Sequence, residues 1–248
     1  MITLKSRAEI KKMRSAGKIV AEILALLKER VAPGITSLEL DGLAEAECKK
    51  YRARPAFKGY GGFPYCICAS PNEKVVHGFP NSSPLDDGDF ISIDFGVIYN
   101  GYYGDAALTI PVGTMSAEKQ HLMDVTESSL RAAIEKAVVG NRISDISHAV
   151  QSTVEYEGYS VVREFVGHGI GKRLHEAPQI PNFGLPGQGP RLKAGMTLAI
   201  EPMINAGGPE IRILSDGWTA VTQDSRPSAH FEHTVAVTED GPEILTVL

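Results

Sequence analysis

Four carboxylates and one imidazole interrupt segments of this chain that otherwise read as buried β-strand, and any fold must give those five groups somewhere to go. Asp94 sits in Ile91-Ser92-Ile93-Asp94-Phe95-Gly96-Val97, and Asp105 precedes Ala106-Ala107-Leu108. Glu201 lies within Leu198-Ala199-Ile200-Glu201-Pro202-Met203, and Glu232 opens Glu232-His233-Thr234-Val235-Ala236-Val237. His168 is hemmed in by glycines in Gly167-His168-Gly169-Ile170-Gly171, a setting that permits close backbone approach. An ionised carboxylate withdrawn from water is costly unless it is paired. Lys and Arg are scarce in these segments, so cations from solution are the natural partners. Two divalent ions set against four carboxylates leave the local charge balanced.

Turn chemistry supports convergence of the first pair. Asn100-Gly101 is a strong hairpin signal and falls between Asp94 and Asp105. With Asn100-Gly101 as the loop, Asp94 lies opposite Ala107 and diagonal to Asp105. With Tyr99-Asn100 as the loop, Asp94 faces Asp105 directly. Side chains alternate along a strand, so both registers put the two carboxylates on one face, where they would repel without a cation. Oxygen donors with one nitrogen and no thiolate suit Mn, Fe, Co or Zn better than a cysteine-rich structural zinc site does. Two such ions can share a water, lower its pKa and clamp the oxygens of a tetrahedral intermediate, which points to hydrolysis of an acyl bond. Phosphoryl transfer would use similar metals, but the chain has no G-x-x-x-x-G-K loop.

The surrounding pattern predicts an α+β fold. Ile10, Met13, Ala16, Ile19, Val20, Ile23 and Leu27 recur at helical spacing over Arg7 to Arg30, and Pro33-Gly34 breaks the run. Ser37, with Leu40 three residues on, announces a second helix reaching about Tyr51. From Phe57 to Ile110 the texture is Gly, Pro, Tyr and short β-branched runs. Helices return after Thr114, carrying first Leu122, Val125, Leu130, Ala133 and Ala137, then Ile143, Ile146, Val150 and Val154, with Gly140-Asn141 between them. Strand-like material follows from Val161 to the end. Helix, helix, strands thus occurs twice, and Pro33-Gly34 has a counterpart in Val139-Gly140. This reads as an internal duplication, with lobes of about 1–112 and 113–248 in a single domain and paired helices covering curved antiparallel strands.

Composition narrows the setting. Apolar residues are 43% and charged residues 22%, ordinary for a globular chain of 248 residues. A net charge of −5 argues against a surface built for nucleic acid and offers no polybasic membrane anchor. No apolar run is long enough to span a bilayer. Cys48, Cys66 and Cys68 form an odd set with no disulfide framework, which predicts a reducing cytoplasm. Cys66 and Cys68 read as small pocket-lining residues. His121, His148, His230 and His233 read as surface or packing residues, although His233, beside Glu232, could orient that residue.

Several motifs stand in a telling order: Asn72-Glu73-Lys74-Val75-Val76-His77-Gly78, Ile93-Asp94-Phe95-Gly96, Gly104-Asp105, Gly167-His168-Gly169-Ile170-Gly171, Leu174-His175-Glu176, Ile200-Glu201-Pro202 and Phe231-Glu232-His233-Thr234. Taken jointly, over nearly the whole chain, they resemble the methionine aminopeptidase family, in the short bacterial type I form of peptidase family M24. The resemblance implies the pita-bread fold, two lobes related by a pseudo-two-fold axis, and a metal set of Asp94, Asp105, His168, Glu201 and Glu232. Asp105 and Glu232 would bridge two ions, Asp94 would chelate one, and His168 with Glu201 would complete the other. A water activated between the ions would attack the first peptide bond, releasing methionine ahead of a small second residue. Glu201 would handle its proton, His175 would help stabilise the oxyanion, and His77 would position the scissile amide. Tyr60, Phe63, Cys68 and Trp218 match the methionine pocket. The substrates would be N-termini of nascent polypeptides, met near the ribosome by a monomeric enzyme. Departures from the pattern are Leu174 where many members have Phe, Phe57 where some have Cys, and Ala106 where a hydroxyl residue is common.

Overall fold

The computed structural model describes residues 1–248. Four helices form where periodicity and capping agree. α1 (Arg7–Arg30) is capped by Ser6, whose side chain accepts from the Glu9 N–H while Glu9 reaches back to Ser6. This reciprocal capping box satisfies two amide donors that a helix start otherwise leaves unmade. α2 (Ser37–Lys50) has the same device, but its cap is Thr36 paired with Glu39 rather than the Ser37 expected from sequence. Thr36 takes extended backbone angles, as a cap must, and Ser37 is already helical. α3 (Ala117–Glu135) and α4 (Ile143–Tyr156) follow in the second half.

Nine strands form the main sheet, antiparallel at every pairing. In chain order these are β1 (Arg54–Pro55), β2 (Ile67–Pro71), β4 (Phe90–Tyr99), β5 (Tyr102–Pro111), β7 (Gly167–Gly169), β8 (Glu176–Ile180), β9 (Thr197–Ile200), β14 (Glu232–Thr238) and β15 (Gly241–Ile244). Two three-stranded sheets complete the set. One joins β6 (Ser160–Val161), β10 (Met203–Asn205) and β13 (Ser228–His230); the other joins β3 (Lys74–Val76), β11 (Ile211–Ile213) and β12 (Ala220–Thr222).

The central strand order is a palindrome of the two halves: β2-β4-β5 from the first, then β14-β9-β7 from the second. β4 and β9 follow glycines of nearly identical backbone, Gly88 at φ 91° and Gly195 at φ 92°, and each leads to an acid, Asp94 or Glu201, six residues on. The halves meet where β5 pairs β14, with Ala106 opposite His233 and Ala107 opposite Glu232. A two-fold axis through the Ala106–His233 pair exchanges Asp105 with Glu232. Each half keeps its own apolar core against its helices. One core joins Ile19, Ile23 and Leu27 of α1 to Ile91, Ile93 and Phe95 of β4. The other joins Leu130 of α3 and Ile146 of α4 to Leu198 of β9 and Val235 of β14. This is the pita-bread α+β arrangement. No helix is long and apolar enough to cross a membrane.

The β4–β5 hairpin turns at Asn100-Gly101, with Tyr99 opposite Tyr102. Both turn residues have positive φ, 51° and 78°, the geometry that matches the right-handed twist of the strands it joins. Of the two registers left open by the sequence, the structure takes the one with Asp94 opposite Ala107.

Candidate active site

Register brings the acids together. Asp94 on β4 and Glu232 on β14 flank Ala107 of β5 from either side, and Asp105 lies two residues before Ala107 on the same face. Three carboxylates therefore surround one methyl group, which leaves the space above it open. Gly96 stands opposite Asp105, and a Cβ there would come within 3.0 Å of Asp105 Oδ1. Glu201 follows β9, and His168 on β7 pairs with Ala199 of the same strand. His168 Nε2 lies 3.4 Å from Glu201 Oε1. Ligand atoms of Asp105, His168 and Glu232 all lie within 4.8 Å of one another.

The glycines beside His168 are there for space. A Cβ on Gly167 would sit 2.4 Å from the Ala199 carbonyl oxygen, and one on Gly169 would sit 2.2 Å from that of Ala177. β7 can lie against β9 and β8 only because those side chains are absent.

No lysine or arginine pairs with any of the four acids. Asp94 Oδ1, Asp105 Oδ1 and Glu232 Oε1 are buried without a hydrogen-bond partner. Burial pushes the Asp94 carboxyl up to about 7. Burial first, and the neighbouring acids after it, hold Asp105, Glu201 and Glu232 well above the usual carboxylate range. Asp41 shows the contrast: it is also buried, but its Oδ1 accepts the Cys66 and Ile67 N–H groups at 2.7 and 3.0 Å and so anchors β2. Orphaned oxygens clustered with one imidazole nitrogen fit divalent cations.

Above this floor lies a cavity of about 180 Å³. Every site residue anticipated from sequence lines it: Tyr60, Phe63, Cys68, His77, Asp94, Asp105, His168, His175, Glu201, Trp218 and Glu232. One wall is apolar, with Phe63 edge-on to Trp218 at 5.2 Å between ring centroids. Phe57 and Leu174, the two departures, belong to that wall and keep it hydrocarbon. Beside Trp218, His77 holds a left-handed φ of 58° and sits edge-on to that ring and to Phe165. Burial, then the nearby His175, lowers the His77 pKa to about 4. Burial also lowers that of His175, whose ring centre is 4.3 Å from that of His168.

Three expectations are corrected by the structure. His230, expected at the surface or in packing, lines the cavity fully buried, with Nε2 unpartnered. Its position two residues before Glu232 was the available signal, because that spacing returns a strand to the same face. His233 does not orient Glu232; its Nδ1 meets the Thr246 hydroxyl at 2.9 Å, as alternation to the other face requires. Cys66 is buried away from the cavity, and only Cys68 reaches it. Ala106 supplies no hydroxyl beside Asp105, whose main chain is held instead by Thr234: that hydroxyl accepts the Asp105 N–H at 3.1 Å and donates to the Asp105 carbonyl at 2.8 Å. Val76, Phe165, Val166 and Met203 also line the cavity, unannounced by any sequence pattern.

The sequence profile of metallopeptidase family M24 matches residues 11–239. The methionine aminopeptidase of Clostridium perfringens is 56% identical over 248 residues, covering all of both chains. The chain belongs to the methionine aminopeptidases of family M24. Methionine aminopeptidase 1 of Bacillus subtilis is 54% identical over 246 residues, 99% of each chain. The crystal structure of the M24 methionine aminopeptidase of Thermotoga maritima superposes over 100% of both chains with a TM-score of 0.98 and 48% identity. A prolidase of Pyrococcus furiosus shares the fold at a TM-score of 0.81 and 23% identity, and this M24 chain covers only 65% of its length. As an M24 metallopeptidase the chain is a metal-dependent hydrolase.

Proposed function

We propose that the chain removes the N-terminal methionine from nascent polypeptides, preferring a small second residue. One observation carries this reading: a floor of unpaired carboxylates meets a closed apolar wall in a single small cavity. The residues that would hold two divalent ions, drawn from Co, Mn, Fe or Zn, are Asp94, Asp105, His168, Glu201 and Glu232. Asp105 and Glu232 are central in this assignment, Asp94 serves one ion, and His168 with Glu201 serves the other. Bound there, the ions supply Lewis-acid polarisation of a carbonyl and a water that ionises near neutral pH.

The chain's own residues do the rest. Glu201 receives the proton of the attacking water at its carboxylate. His175 donates from its ring to the carbonyl oxygen as negative charge develops. His77 positions the scissile amide and its leaving nitrogen. Phe63, Cys68, Trp218 and Tyr60 hold the methionine side chain, whose flexible thioether suits a snug apolar slot. A free α-amino group would bind at the metal site, and an internal residue has none to offer, so only the first residue is removed. The chain acts, in this reading, as a monomer close to the ribosome, in a reducing cytoplasm that accords with the free, buried Cys48, Cys66 and Cys68.

The test is methionine release from Met-Ala-Ser with added Mn or Co, beside a peptide with proline in second position. Release from the first, abolished by a chelator, is expected. Preferential cleavage before proline, or no metal-dependent release at all, would overturn the reading.

A further inference from the structure

The Tyr60 hydroxyl lies 2.7 Å from Nδ1 of His175, with the ring centres 5.3 Å apart. Tyr60 stands at the cavity rim, 43% exposed, on a turn in which Gly59, Gly61 and Gly62 all have positive φ. Glycine adopts that backbone at little cost, and a Cβ on Gly61 would meet the Trp218 ring at 3.2 Å. This turn brings the tyrosine back over the pocket.

A neutral imidazole has one donor and one acceptor nitrogen, and the partner of one decides the state of the other. Nδ1 of His175 is taken by Tyr60, so Nε2 is what the ring has left to offer the cavity it lines. If Nδ1 carried the proton and donated it to the phenolic oxygen, Nε2 would be a bare lone pair in a cavity already walled by carboxylates. If the Tyr60 O–H donates to Nδ1, Nε2 becomes a donor, which is what a carbonyl oxygen gaining negative charge requires.

We propose that Tyr60 is a positioning residue that fixes the Nε2–H form and the ring plane of His175. The proposal rests on the reading of His175 as the donor to the substrate carbonyl. It assigns Tyr60 more than a place in the pocket wall. The main chain beside His175 is pinned independently of it: Glu176 accepts the Lys172 and Arg173 N–H groups and the buried Lys5 ammonium. What Tyr60 supplies is proton placement and ring orientation, not the fold of the loop.

Tyr60→Phe removes one oxygen from an exposed rim, so folding is not at stake. Nitrogen-15 labelling of histidine in the metal-free protein, at about pH 8 to keep the ring neutral, reads the proton position directly, with His175→Gln used to assign the signal. Wild type is expected to show a protonated Nε2 and a bare Nδ1, and Tyr60→Phe a mixture of both forms. With Mn and Met-Ala-Ser, Tyr60→Phe should lower kcat about three- to tenfold while KM changes less than about twofold, the effect of one lost hydrogen bond. A rise in KM with kcat intact would reduce Tyr60 to a pocket wall and overturn the proposal. So would a protonated Nδ1 in wild type, or an unchanged proton pattern in the variant. Should wild type release no methionine, the functional reading fails, while the labelled nitrogens still decide where the proton sits.

Discussion

At the scale of single residues, the site is defined by which buried acids find partners. Asp41 does so through backbone N–H groups, while Asp94, Asp105 and Glu232 each keep an oxygen that has none. Asp105→Asn should therefore lower turnover by more than about a hundredfold, since loss of even an outer partner of a metal ligand costs ten- to a hundredfold. The metal-free variant should melt no lower than wild type, because an amide carries none of the cost of ionising an unpaired buried acid. Peptide assays and calorimetry on the same preparations check both halves. His175→Ala should lower kcat by about 10²–10³ with little change in KM, the usual loss when one oxyanion donor is removed; an unchanged kcat would remove His175 from the chemistry. The acids were legible in the sequence because an ionised group in an apolar run is conspicuous. His230 was not, because a lone histidine carries no such contrast and only its spacing from Glu232 places it.

At the scale of elements, helices were readable and short strands were not. α1 was anticipated at its observed bounds, since its apolar stripe ends at Pro33-Gly34. α2 was misjudged by one residue because Thr36 and Ser37 are both cap-forming types, and only backbone angles tell them apart. Strands of two to four residues such as β6, β7 and β10 leave too little alternation to detect. Within β7 the limiting quantity is room. Gly167→Ala would drive a methyl to 2.4 Å from the Ala199 carbonyl oxygen, so β7 must shift and take His168 with it. A loss of about 1–3 kcal/mol is expected, read as a lower melting temperature together with weaker Mn binding; a variant that binds Mn as wild type does would show that β7 does not need this close approach.

At the scale of the whole molecule, the β5–β14 seam is what the sequence could not reveal. Pairing between distant segments leaves no local periodicity, even though each half's helices and strands repeat legibly. The seam concentrates four acids whose native pKa values exceed those of the unfolded chain. Metal-free protein therefore holds extra protons from about pH 4, where unfolded carboxylates titrate, up to about 7 for Asp94. The contribution of these four acids to stability is full below that window and falls as pH rises through it. His77, His168 and His233, lowered by burial to about 4, and His230, lowered to about 3, contribute in the opposite sense up to the ordinary histidine range. Added Mn should reverse the trend, by about 2.7 kcal/mol at a hundred times its Kd, and should stabilise more at about pH 8 than at about pH 5, where protons compete. Denaturant titrations with and without metal test this; equal metal stabilisation at both values would count against it. The near-symmetry of the seam also bears on the direction in which a peptide can lie. Across a truly two-fold floor, a chain and its reverse would find the same groups. β7 brings His168 to one flank, opposite Ala199, whereas the matching place on β2, opposite Ser92, holds Ser70. That mismatch of imidazole against hydroxyl helps give the cleft a head and a tail, so that a polypeptide is read from one end.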